Sequence, residues 1–210
     1  MRTFVFLFTI VCVTLLALAG CTGGGSSTKA QDNVLRININ AEVKDLDPQL
    51  VTGVPEHRVN GALFEGLVDL DSATLKPIPG AAESWTLSED GLTYTFALRK
   101  DGKWSNGDPL TARDFRYSFK RMLTPALAAD YAYLLHCIKN AKAFNDGTLA
   151  DFDAVGVKVL DDYTLELRLE NPTPYLLAMQ MHQAWYPVHQ ATIEAHGEMA
   201  QRGTPWTRAG

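Results

Sequence analysis

Between Pro79 and Pro125 the apolar positions follow two periods in succession. Leu92, Tyr94, Phe96 and Leu98 alternate with Thr93, Thr95, Ala97 and Arg99, which predicts a strand with one buried face. Ser88 to Gly91 (SEDG) is turn chemistry, so Trp85-Thr86-Leu87 is expected to pair back on that strand as a hairpin. Asn106-Gly107 and Asp108-Pro109 break the chain. Thr111-Ala112-Arg113-Asp114 then reads as a capping box, opening a helix with Phe115, Ser118, Phe119, Met122 and Leu123 on one face. Thr124-Pro125 ends it.

The flanking chain follows the same logic. Val34 to Asn40 alternates Leu35, Ile37 and Ile39 with polar residues and predicts a first strand, closed by Asp45-Leu46-Asp47-Pro48. Pro55 suits a first helical turn, and Val59, Ala62, Leu63, Gly66 and Leu67 mark the expected buried side. Tyr131, Leu134, Leu135, Ile138 and Ala141 or Lys142 predict a single helix, stopped by Asn145-Asp146-Gly147. Val155, Val157 and Val159 predict a strand open to cover on both faces, and Leu165, Leu167 and Leu169 its hairpin partner. Tyr175–His182 and Ala191–His196 read as short helices, with an extended piece at 185–188 between them.

The N-terminus stands apart from this pattern. Arg2 precedes an apolar run from Phe4 to Leu18, too short and wrongly flanked for a membrane span, and residues 1–20 read as a signal peptide. Leu18-Ala19-Gly20-Cys21 resembles a bacterial lipobox, which makes Cys21 the expected site of lipidation and of anchoring to a membrane surface. Residues 21–30, with Gly23 to Thr28 (GGGSST), form a flexible tether. Cys12 lies in the signal and Cys21 at the anchor, so Cys137 has no internal disulfide partner and reads as a buried thiol.

Charge and motifs argue against several functions. The net charge is −5 with no basic run, a poor match to nucleic acid. Gly-x-Ser-x-Gly, His-Glu-x-x-His and phosphate-loop patterns do not occur. His57, His136, His182, His189 and His196 are scattered and read as surface residues, and His136-Cys137 points to different helix faces. Asp161-Asp162 and Glu89-Asp90 fall in turns. Trp85, Tyr94, Phe96, Trp104, Phe115, Tyr117 and Phe119 read as core and loop anchors. No catalytic residue, metal site or cofactor is expected.

Glu83-Ser84-Trp85, the run Leu98–Phe115 (LRKDGKWSNGDPLTARDF), Phe64-Glu65-Gly66-Leu67 and Val54-Pro55-Glu56 together resemble the family 5 extracellular solute-binding proteins, closest to their oligopeptide-binding members. The resemblance covers residues 34–210 and less than half of a typical member, so a gene fragment or premature stop is expected. It implies an α/β, two-lobed periplasmic-binding-protein-like fold (type II, peptide-binding subclass) of which only the N-terminal portion is present. On that scheme residues 31–63 begin lobe I, 64–187 form an inserted domain II, and 188–210 return to lobe I.

By the same resemblance the chain captures oligopeptides in a hinged cleft by pairing with their backbone, and passes them to the permease subunits of an ABC importer. Carried over by position, Thr52, Gly53 and Val54 match the backbone-pairing edge, and Tyr131 a tyrosine facing the peptide. Thr52 stands where the family commonly has an acidic residue. The expected location is the periplasmic side of the envelope, as a lipid-anchored monomer. Same-fold alternatives are binders of dipeptide, murein peptide, nickel or haem. A secreted hydrolase and an inert surface interaction lipoprotein are the alternatives of another class.

Overall fold

The computed structural model describes residues 35–196, and residues 39–196 lie within one compact unit. In chain order the elements are α1 (Val54–Leu63), β1 (Val68–Leu70), β2 (Pro77–Pro79), β3 (Ala82–Leu87), β4 (Thr93–Leu98) and α2 (Ala112–Leu123). Then follow α3 (Ala141–Asn145), β5 (Val157–Asp161), β6 (Thr164–Arg168), α4 (Leu176–Met179) and α5 (Gln190–His196).

Four strands form an antiparallel sheet in the order β3-β4-β6-β5. The expected hairpin is its first pair, with Trp85 opposite Phe96 and Gly91 turning the chain at φ +70°. Tyr94 faces Leu167 and Phe96 faces Leu165 across the next ladder. Tyr94, Phe96 and Leu98 are buried while Thr93, Thr95 and Ala97 are not, as the alternation predicts. Helix α2 closes this core with Phe115, Phe119, Met122 and Leu123, and Trp185 meets Phe119 edge-on at 5.5 Å. Each such side chain stabilises the fold by roughly 1.5–3 kcal/mol when fully buried. The Thr111 backbone N–H and hydroxyl both donate to Asp114 Oδ2 at 2.8 Å, the reciprocal half of a capping box.

Four expectations need correction. Residues 35–40 form no strand: Leu35 and Ile37 are exposed, because an alternating pattern becomes a strand only against a partner edge. Helix α1 exists, but its buried residues are the polar Glu56 and Asn60, while Ala62 and Leu63 are exposed and Leu67 lies beyond it. Residues 131–142 are not one helix. A 3-10 turn at Ala132–Leu135 gives way to Ile138, which bridges to Leu169, and Lys139 N–H donates to Arg168 O at 2.9 Å. Asn140 then turns left-handed at φ 61° before α3. Finally, β5 is buried only at its start and lies at the edge of the sheet.

Candidate functional site

Asp45 to Val51 forms a compact polar turn. Asp47 O accepts from Leu50 N and Val51 N at 3.1 and 3.2 Å, and Asp47 Oδ1 from Gln49 N at 3.0 Å. Proline at 48 and short side chains at 45 and 47 favour this geometry. Helix α2 reaches under it. Arg121 donates to both carboxylate oxygens of Asp47, at 3.1 and 2.7 Å, and to Gln49 Oε1 at 2.7 Å. From the other side Gln183 Nε2 donates to Val51 O at 2.5 Å.

The next residues are Thr52, Gly53 and Val54. Thr52 is exposed, Gly53 caps α1 in extended conformation, and Val54 opens the helix 65 % exposed. Thr52 and Gly53, but not Val54, line a cavity of about 420 Å³ together with Lys44, Asp45, Leu50 and Glu56.

Tyr131 is half-buried and meets the His182 ring edge-on at 4.4 Å. His182 in turn stacks on His57 at 5.9 Å. The His57 backbone N–H donates to Gly53 O at 3.0 Å, one turn back in α1. The structure thus links Tyr131 to the Gly53 end of α1 through two imidazole rings. Burial first, and the neighbouring His57 second, hold the His182 imidazole below its usual pKa. His182 Nδ1 accepts from Ala184 N at 3.2 Å, which requires that nitrogen to be unprotonated. His182 is therefore not the surface histidine expected. Nothing in the spacing of residues 57, 131 and 182 announces the contact, which depends on long-range folding.

His189 and His136 serve locally. His189 Nε2 lies 3.0 Å from Asp108 Oδ2 and its ring packs on Trp104, while His136 bonds Asn145 at 3.0 Å. Burial raises the Cys137 thiol to about 11. Among the described residues no three His, Cys, Asp or Glu side chains gather as metal ligands. A larger cavity, about 790 Å³, lies elsewhere, between Arg113, Arg116, Tyr117 and Lys120 of α2 and Lys158 of β5. Cys21 lies outside the described residues.

The exposed turn-to-helix edge at Thr52–Val54 and the ring stack of Tyr131, His182 and His57 thus lie in one small α/β body. Residues 76–208 match the family described as bacterial extracellular solute-binding proteins, family 5 Middle. The chain belongs to that family, and it is an N-terminal portion of the periplasmic binding protein type II fold. It is 40% identical over 199 residues to the periplasmic oligopeptide-binding protein OppA of Escherichia coli (strain K12), covering 93% of this chain and 34% of that one. It is 36% identical over 183 residues to the periplasmic murein peptide-binding protein MppA of the same organism, covering 86% and 32%. The crystal structure of Haemophilus influenzae OppA in complex with RPPGFSPFR superposes with a TM-score of 0.72 at 44% identity, over 77% of this chain and 31% of that one. The chain thus spans about a third of the length of these relatives.

Proposed function

We propose that this chain is the opening portion of a substrate-binding lipoprotein that captures oligopeptides for an ABC importer and is not an enzyme. Thr52, Gly53 and Val54 would pair with the peptide backbone as a short added strand edge, and Tyr131 would face the peptide. Backbone pairing makes affinity largely independent of side-chain identity, since every residue except proline offers the same N–H and C=O.

The observation that supports this reading best is the Tyr131–His182–His57 contact, which draws Tyr131 toward the Gly53 end of α1. The relatives named for oligopeptide and murein peptide binding support the ligand class. Residues 31–63 and 188–210 would belong to lobe I and 64–187 to domain II, with the facing wall of a hinged cleft supplied by sequence of the kind the longer relatives possess. Cys21 would carry the lipid that holds a monomer at the periplasmic side of a membrane, beside the permease subunits.

Calorimetric titration of a version extended to its relatives' full length with tri- to pentapeptides tests the reading. Saturable heat with peptides of unrelated sequence is expected. Silence with peptides alongside binding of a nickel chelate or haem would overturn it.

A further inference from the structure

We propose that Arg121, on α2, is a positioning residue for the Thr52–Val54 edge, acting through Asp47 and Gln49 on the turn from which that edge leaves. This rests on reading Thr52–Val54 as the peptide-pairing edge.

Helix α1 has little apolar anchorage of its own. Its buried residues are Glu56 and Asn60, and Val54 and Leu63 stand exposed. What locates its N-terminus is a chain of polar contacts reaching back to α2. Arg121 and Asp47 are both almost completely buried. Their two-pronged contact fixes the plane of the Asp47 carboxylate, which a point charge such as lysine would not do. Gln49 is gripped at both ends of its amide, by Arg121 at Oε1 and by donation from Nε2 to Ser118 O at 2.7 Å. Asp47 O then holds the N–H groups of Leu50 and Val51, and Gln183 holds the Val51 carbonyl. The next residue is Thr52.

A well-packed hydrophobic pair would serve the core at least as well as this ion pair, because removing two charges from water offsets much of their attraction. What an apolar pair would not supply is direction. The fork of Arg121 sets the orientation of a turn whose outgoing backbone is exposed, and the hydrogen bonds to Ser118 on the same helix and from Gln183 on another segment keep that orientation single.

Amide hydrogen exchange on the chain, read by mass spectrometry, tests the assignment with Arg121→Met, Asp47→Asn and the milder Gln183→Leu. Exchange over residues 50–57, where Leu50, Val51 and His57 have bonded amides, is expected to quicken by on the order of tenfold or more through local opening, with β4 amides unchanged. Affinity for tri- to pentapeptides, read on the chain extended to its relatives' length, should fall in parallel, and Arg121→Lys should recover only part of the loss. Unchanged protection at 50–57 in Asp47→Asn and Gln183→Leu would overturn the proposal. So would equal loss at 50–57 and β4 in all variants, or peptide affinity that stays at the parent value while 50–57 opens. If the parent extended to its relatives' length binds no peptide, the peptide reading fails, and the exchange pattern still decides whether Arg121 positions this segment.

Discussion

Gly53 packs so tightly on Glu56 that a Cβ added to it would stand 2.0 Å from Oε2. The carboxylate cannot simply swing aside. Glu56 is 5 % exposed, and its Oε1 accepts from Lys44 N at 3.1 Å. Gly53→Ala is therefore expected to destabilise the chain by about 1–3 kcal/mol through overpacking. Gly61, inside the same helix, has nothing within 4 Å of an added Cβ, so Gly61→Ala should stabilise by about 0.5–1 kcal/mol. Urea midpoints that move in opposite directions would bear this out, and midpoints that move together would refute it.

Gly156 presents a harder limit. A Cβ there would lie 2.3 Å from the backbone oxygen of Arg168, and backbone cannot rotate away. Arg168 N also donates to Gly156 O at 2.8 Å, and Gly156 N to Lys139 O at 2.9 Å. Gly156→Ala should lower stability by about 2–3 kcal/mol and loosen the β5–β6 hairpin first. Exchange at Val157 and Val159 that matches the parent chain would contradict this.

The His182 imidazole sets a pH dependence. Its folded pKa lies below the ordinary 6.5, so the unfolded chain takes up the proton first. The stabilisation is present above about pH 6.5 and is lost as pH falls from there through the depressed folded value. Stability should drop between pH 7.5 and 5.5, and His182→Gln should flatten the drop. A slope that is identical in parent and variant would remove His182 as its source.

Tyr131 meets His182 through its ring, so ring and hydroxyl can be separated. Tyr131→Phe should keep the contact, while Tyr131→Ala forfeits about 0.5–1.5 kcal/mol of aromatic interaction. If the peptide reading holds, Tyr131→Ala weakens peptide binding by roughly tenfold on the same scale. Equal titrations of Tyr131→Ala and parent would detach Tyr131 from the ligand.

Cys137 should be chemically quiet. With its thiol raised to about 11, about one molecule in a thousand carries the thiolate at pH 8. Peptide mapping after iodoacetamide treatment is expected to find Cys137 unmodified in the native chain and alkylated in urea. Rapid native alkylation would show that the thiol is not shielded.

Much of the sheet and helix was legible in the sequence because the decisive contacts are local. Tyr94, Phe96 and Leu98 report their own burial by alternation, and Thr111 with Asp114 marks the start of α2 within four residues. The failures share one cause. Ile138 continues a helical spacing, yet its backbone is claimed by Leu169, a partner that no local window contains. The exposed Leu35 and Ile37 alternate as a strand should, but alternation does not supply an edge to pair with. At the site, Thr52–Val54 and Tyr131 came from likeness to a family, while His182 and Arg121 emerge only when distant segments meet.

Trp185 closes against Phe119, and the sheet's central ladder joins Thr93 to Arg168. Synthesis from the N-terminus therefore delivers the β3–β4 hairpin before the segments that shut it in. The hairpin stays open on the β6 side until that strand is made, since distant pairings must wait for both partners. The hairpin is closed in only when residues 164–185 have joined it.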